Sequence, residues 1–295
     1  MSHNKPRVSV LVTVYNREAF LRATLQSILE SSFGDFEVLV VDDCSTDSSL
    51  KIAHEIAQTD SRIKVCANEK NLGDYGNRMH VAALACGTYL KYVDSDDLIY
   101  PYSLGVMVDA LDRNEEVAVA LSHSLPEDEQ PYPWLLSPEE AYRKHFLGRG
   151  CFGCGPTGAI IRRSAFQAVG GFRKEWGVLS DTDLWLRMAA HSSVALLPPG
   201  LVWWRRHCGQ EFSGSGANLT YLQRGFDLSL FGLQNPSCPL SANDTLAAIA
   251  RLRQNHARRL ISLATKGKSP LTAWRLFRSS KLTIVDLGAG LCSYS

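Results

Sequence analysis

Three carboxylates fall within four residues at Asp94-Ser95-Asp96-Asp97. At that spacing they repel one another unless a cation lies among them. Mg²⁺ or Mn²⁺ suits such a turn, because each takes a few carboxylates and fills its other positions with substrate phosphates and water. A solvated acidic turn is the competing reading of the motif alone, and the less favoured one. A second cluster, Asp42-Asp43-Cys44-Ser45-Thr46, follows another apolar run. Polar turns also follow two further runs, at Thr13-Val14-Tyr15-Asn16 and at Asn68, Asn71, Gly73 and Asp74. Open α/β sheets bind ligands beyond the carboxyl ends of their strands, which is where these residues would fall. No Gly-x-Gly-x-x-Gly follows the first run, so an ordinary dinucleotide loop is missing. The string Ile-Val-Asp-Leu-Gly-Ala-Gly-Leu at 284–291 resembles such a loop by coincidence, since the sequence ends four residues later. Cys151 and Cys154 form a lone Cys-x-x-Cys without a second pair. Two small residues in a Gly-rich turn explain it better than zinc.

These residues need elements to position them. Val8–Val12 is a continuous apolar run, as in a strand buried on both faces. Residues 18–30 place Leu21, Leu25 and Ile28 at helical spacing. Strands at 36–41, 63–67, 89–93 and 117–121 then alternate with helices at 50–58, 76–86 and 102–114. That alternation predicts βαβ units and a mostly parallel sheet. A Pro-rich polar loop spans 126–133. Ser137-Pro138-Glu139-Glu140 has the residues of a capping box. Five glycines between 148 and 158 require a loop. A short strand is expected at 158–161, a helix capped by Ser164 after it, a helix at 181–190, and strands at 194–197 and 201–204. Helices at 242–264 and 270–278 close the sequence.

The chain has 295 residues, 45% hydrophobic and 21% charged, with a net charge of +1. This excludes disorder as the dominant state and suffices for one large α/β domain, or one domain plus an appendage. No run of 18 apolar residues occurs, so no membrane span is expected. The start carries no apolar leader with a small-residue cleavage site, which predicts a cytoplasmic protein with reduced thiols.

The strings PRVSVLVTVYNREAFLRATLQSIL, FEVLVVDDCSTDSS, NEKNLGDYGNRMHVAALACGTYLKYVDSDDLIYP, CGPTGAIIRRSAFQAVGGF, SDTDLWLRMA and WWRRHCGQ run in order over about residues 6–213. Together they resemble the inverting GT-A glycosyltransferases of family 2. The resemblance implies a GT-A, Rossmann-like α/β fold, with a mostly parallel central sheet flanked by helices. It divides the chain into a domain at 1–213 and a helical, basic extension at 214–295. Within the domain, about 6–122 would form the nucleotide-sugar half and about 123–213 the acceptor side. Thr13 and Tyr15 would then contact the nucleotide, and Asp42 would accept a hydrogen bond from the base ring. Asp43 would be structural or near the ribose. Arg78 would lie near the diphosphate, although the family's Arg-Asn reads Arg78-Met79 here. Asp94, Ser95 and Asp96 form the family's DxD motif. Asp96 would be the direct metal ligand, and Asp94 would act through water or sugar hydroxyls. His207 would complete the metal or diphosphate site.

The family's Glu-Asp pair appears as Ser180-Asp181, which makes Asp181 the general base and Asp183 its nearest rival. The helix-start position of Asp181 also suits an N-cap. Trp203 and Trp204 would form a sugar platform or close the core. The implied activity is Mg²⁺- or Mn²⁺-dependent inverting transfer from a nucleotide-diphosphate sugar, a UDP-sugar by preference. The acceptor would be a hydroxyl of a glycan or lipid-linked sugar in cell-surface glycan synthesis, and no nucleic acid is involved. The rivals are a sugar-phosphate nucleotidyltransferase, which usually needs a Gly-rich basic loop where TVYNRE stands, and a non-catalytic sugar-nucleotide-binding subunit.

Charge is uneven. Residues 245–285 hold nine Lys or Arg and no acid, leaving 22 basic and 30 acidic residues elsewhere. Leu246, Ile249, Leu252, Leu260 and Leu263 would share one side of a helix, with Arg251 and Arg258 opposite and Arg253 intruding. Packing through that stripe is the first expectation. Peripheral contact of the basic segment with anionic lipid is the second.

Overall fold

The computed structural model describes residues 5–122, 130–207, 210 and 217–292. Half of the polar loop at 126–133 and part of WWRRHCGQ lie outside them. The chain divides into two compact units, one of residues 1–141 and 151–206, the other of residues 142–150 and 207–295.

The first unit is built on an eight-stranded sheet. Its first half consists of β1 (Val8–Val14), β2 (Phe36–Asp42), β3 (Ile63–Ala67) and β4 (Tyr89–Tyr92). Helices α1 (Leu21–Leu29), α2 (Ser49–Ala57) and α3 (Asp74–Leu84) link them. Every residue of β2 is buried, as are six of the seven in β1, which fits their mostly apolar composition. On α1, Leu21, Leu25 and Ile28 are fully buried, and the positions between them are mostly polar. β5 (Leu98–Ile99) leads into α4 (Ser103–Asp112), followed by β6 (Val117–Ser122), β7 (Trp134–Leu136) and α5 (Pro138–Leu147). The capping box forms as its residues predict. Ser137 donates its backbone N–H to Glu140 Oε2 at 2.8 Å, and Glu140 N–H returns to Ser137 Oγ at 3.4 Å.

A 3₁₀ turn at Pro156–Gly158 delivers β8 (Ala159–Arg162) and α6 (Arg163–Ala168). A second 3₁₀ segment, Lys174–Leu179, leads into α7 (Ser180–Ala189), then β9 (Ser193–Leu197) and β10 (Val202–Trp203). The sheet order is β3-β2-β1-β4-β8-β6-β9-β7, and β5 pairs with β10 as a separate ribbon.

Six of the eight strands run in one direction, while β8 and β7 oppose them. The sheet is therefore mixed. A single short apolar run after a glycine-rich loop carries no information on direction, and β8 enters reversed between β4 and β6. Ser164 does not cap α6, whose N-cap position is Arg162 with no side-chain capping bond.

The second unit contains α8 (Ala217–Gln234), α9 (Ala242–Thr265), α10 (Pro270–Ser279) and α11 (Ile284–Cys292). Phe226, Ala257, Leu260 and Leu282 form its core, with Leu252, Leu276 and Phe277 packed against it. The stripe foreseen on α9 is displaced at its start, because Leu246 is 68% exposed and Ala248 is buried instead. Arg253 intrudes for a reason: it pairs with Asp286 of α11 at 2.9 Å and donates to Lys281 O. The Gly-containing string at 284–291 is helical, so it forms no ligand loop. Among the described residues no helix is long and apolar enough to cross a membrane.

Candidate active site

The strand order reverses at β1. From β1 the chain goes outward to β2 and β3, then returns to place β4 on the other side of β1. The crevice beyond the carboxyl ends of β1 and β4 is thus a topological switch point, where open sheets bind ligands. Backbone bonds bring the three acidic or polar ends together. Asp43 N–H donates to Val14 O at 2.8 Å, and Val93 N–H donates to Leu11 O at 3.0 Å. Thr13 is the penultimate residue of β1, and Tyr15 follows its end, 49% exposed. Asn16, in the left-handed region at φ 53°, receives Thr46 N–H on Oδ1 at 2.8 Å, which clips the turns after β1 and β2 to each other.

The two acids after β2 differ in role. Asp43 is consumed by structure: its carboxylate accepts from Leu72 N–H, Gly73 N–H and Asn68 Nδ2, and so shapes the loop before α3. Asp42 accepts Ser45 N–H on Oδ2, but its buried Oδ1 has no partner. A buried acceptor without a donor costs about 1–3 kcal/mol. An N–H donor on a bound ligand would remove that cost.

Five residues from elsewhere in the chain grip the turn after β4. Asp94 Oδ1 receives Arg78 NH1 at 2.8 Å, and Asp94 N–H donates to Thr157 Oγ1. Asp96 Oδ2 receives Arg17 Nε at 3.0 Å. Asp97 accepts Arg205 N–H at 3.0 Å, and Arg205 Nε donates to Asp96 O. Ser95 is buried, and its carbonyl accepts Thr24 Oγ1. Burial and the neighbouring Asp94 charge push the Asp97 carboxyl up to about 7. Beneath the turn, Lys91 is completely buried with its ammonium on the Thr157 and Ala159 carbonyls, and burial lowers it to about 8.

Arg78 lies on α3, bonded to Asp74 as well as Asp94. Burial opposes its charge, but these two carboxylates outweigh it and keep the guanidinium protonated. The departure from Arg-Asn at position 79 has a packing basis. Met79 Sδ accepts Phe172 N–H at 3.2 Å and would lie 2.5 Å from any Cβ placed on Gly171, whose φ is +65°.

Helix α7 brings the remaining acids. Asp183 is buried and held by Arg187 at 2.7 Å, and Arg187 also donates to Val169 O and Gly171 O at the end of α6. Asp183 is therefore occupied structurally. Asp181 is not the N-cap, which is Leu179; it accepts instead from the N–H of its neighbour Thr182. Burial raises the Asp181 carboxyl to about 6, and Arg78 and Asp94 both act on it electrostatically.

The structure thus gathers Thr13, Tyr15, Asp42, Arg78, Asp94, Ser95, Asp96 and Asp181 in the first unit. His207 belongs to the second unit, where its N–H donates to Gln210 Oε1. Among the described residues no group of three or more His, Cys, Asp or Glu could hold a metal. Two carboxylates with room for substrate phosphates suffice for Mg²⁺ or Mn²⁺, and the hard oxygen donors of Asp94 and Asp96 fit such an ion. Sequence reasoning missed Arg17, Thr157 and Lys91. Arg205 was visible in the WWRRH string without an assigned role. Trp203 and Trp204 do not close the core, being 43% and 47% exposed. No disulfide joins the described cysteines.

The mixed sheet, the acidic turn at its switch point and the acid-bearing helix beside it define the GT-A class of fold. Residues 9–170, more than half of the chain, match the family described as Glycosyl transferase family 2, and the chain belongs to that family. EpsE of Bacillus subtilis (strain 168), named as a glycosyltransferase, is 31% identical over 185 residues, 62% of this chain and 66% of EpsE. The uncharacterized glycosyltransferase RP339 of Rickettsia prowazekii (strain Madrid E) is 26% identical over 216 residues, 70% of this chain and 65% of RP339. The chain spans just under two thirds of the length of each of these relatives. TarS of S. aureus in complex with UDP-GlcNAc shares the fold with a TM-score of 0.69 at 20% identity, over 93% of this chain and 80% of that one. Mannosyltransferase PcManGT from Pyrobaculum calidifontis, in complex with GDP-Man and Mn²⁺, gives 0.63 at 17% identity, over 99% and 89%.

Proposed function

We propose that the chain transfers a sugar from a nucleotide-diphosphate sugar to an acceptor hydroxyl with inversion at the anomeric carbon. The observation that carries this reading is the grouping of Asp181, Arg78 and the Asp94–Asp97 turn at one switch point. Asp42 Oδ1 takes an N–H of the base ring, which favours uracil, and Tyr15 lies against the base. Arg78, fixed by Asp74 and Asp94, faces the diphosphate as a permanent positive charge. Asp96 is the direct ligand for Mg²⁺ or Mn²⁺, with Asp94 assisting through water or sugar hydroxyls. Such an ion, when bound, would neutralise charge on the departing diphosphate.

Asp181 takes the proton from the acceptor hydroxyl while that oxygen attacks the anomeric carbon. The bond from that carbon to the diphosphate oxygen breaks on the opposite face, and the nucleoside diphosphate leaves with the electron pair. A carboxyl near 6 is ionised at neutral pH yet basic enough to share a proton in flight. The donors bound to TarS and PcManGT support the substrate class, and the acceptor is a glycan or lipid-linked sugar hydroxyl.

The test is a thermal-shift panel of UDP-, GDP-, dTDP- and ADP-sugars with Mn²⁺, followed by donor hydrolysis. UDP-sugars should stabilise the protein, and Asp42→Asn should reduce that shift at least tenfold in apparent affinity, about 1.4 kcal/mol. Pyrophosphate release from a nucleoside triphosphate and a sugar phosphate would instead mark a nucleotidyltransferase. Donor binding without any hydrolysis or transfer would mark a binding subunit.

A further inference from the structure

The second unit carries a surface that the transfer reaction does not use. On α10, Ala273 is buried, as is Ser280 at its C-cap, and Leu276 and Phe277 pack on the core around Leu260. Leu271, Trp274, Arg275 and Arg278 recur at i, i+3, i+4 and i+7, and all are exposed. Leu271 is 75% and Trp274 58% exposed. The indole is nonetheless ordered by stacking on Phe277, with ring centroids 5.5 Å apart. Lys281 follows, and α11 then opens with Ile284 and Val285, 84% and 79% exposed. Lys266 and Lys268 precede the helix, and no acid occurs from 266 to 285. The next acid, Asp286, is engaged by Arg253. Large apolar side chains this exposed, in one short segment, mark an interaction site.

We propose that α10 and the first turn of α11 dock on an anionic lipid surface. The composition fits that occupant on two counts. Leu271, Trp274, Ile284 and Val285 can enter the boundary between headgroups and acyl chains, where an indole is favoured. Arg275, Arg278, Lys266, Lys268 and Lys281 can extend their stems and place their charges at lipid phosphates. A second copy of the chain is a poor occupant, because it would set the same cations against one another.

Co-sedimentation of the full chain with vesicles decides it, using phosphatidylcholine alone and an equal mixture of phosphatidylcholine and phosphatidylglycerol. The chain should bind the mixed vesicles, ignore the neutral ones and be released by high salt. Arg275→Gln with Arg278→Gln should weaken partitioning about twenty-five-fold, since each cation near the surface contributes roughly fivefold. Leu271→Ser with Trp274→Ser should weaken it about tenfold. All four side chains are exposed, so both variants should keep the wild-type circular dichroism and thermal midpoint; Ile284→Ser serves as a third variant if either does not. Absence of binding to the mixed vesicles, or equal binding by wild type and folded variants, overturns the proposal. A dimer in solution that Leu271→Ser with Trp274→Ser dissociates also overturns it and makes the face an interface between copies.

Discussion

Asp181 and Asp183 stand two residues apart on α7, and their surroundings separate them. Asp183 neutralises Arg187, and the pair ties α7 to the end of α6. Asp183→Asn should therefore destabilise the fold by about 3 kcal/mol, because it strands a mostly buried guanidinium. Asp181→Asn should do the reverse. The folded carboxyl is near 6 against an ordinary value of 3.8, so the native state holds the proton more tightly than the unfolded chain. The stability this confers is complete below the ordinary value and is lost as pH rises through 6. Asparagine carries no such loss, so Asp181→Asn should gain about 1 kcal/mol over wild type between pH 5 and pH 8, read by denaturant unfolding. Wild-type transfer should rise with pH to a plateau above about 6, as Asp181 ionises. A variant that is inactive but more stable identifies a residue kept for chemistry.

Arg17 carries a separate prediction. It pairs with Asp96, the carboxylate assigned to the metal. A cation entering there must compete with the guanidinium. Arg17→Gln should bind Mn²⁺ several-fold more tightly in the absence of donor, measured by electron paramagnetic resonance of free Mn²⁺. Unchanged affinity would separate Arg17 from the metal position.

At the scale of elements, the strand–helix alternation through β6 was legible because β1, β2, β4 and β6 are short, mostly apolar and buried, and α1 keeps Leu21, Leu25 and Ile28 on one side. The direction of β8 was not legible, since a four-residue strand has the same side-chain pattern either way up. Helix α8 was overlooked although Leu222, Phe226 and Leu230 recur every four residues and pack in its core; Gly225 and Gly232 within the helix obscure the pattern. The site divides along the same line. Asp94 to Asp97 are contiguous and announce themselves. The groups that hold them, Arg17, Thr157 and Arg205, lie 63 to 109 positions away in sequence, so only the fold reveals them. Asp42 and Asp43 look alike as letters, and only their hydrogen bonds show that one is consumed by the loop while the other keeps an oxygen without a partner.

At the scale of the whole molecule, the sequence joins an acidic α/β unit to a helical unit rich in Lys and Arg, and the net charge of +1 conceals both. The first unit contains the carboxylates and the Arg78 guanidinium that the proposed reaction uses. A single displacement leaves a stereochemical record, and that record tests the central claim most directly. Hydrolysis or transfer from a UDP-sugar with an α-linked donor, followed by proton NMR at early times, reports the anomer first formed. The account predicts the β-anomer from wild type and its loss in Asp181→Asn, with donor affinity in that variant within about threefold of wild type. An initial α-anomer, or undiminished β-product from Asp181→Asn, would contradict it.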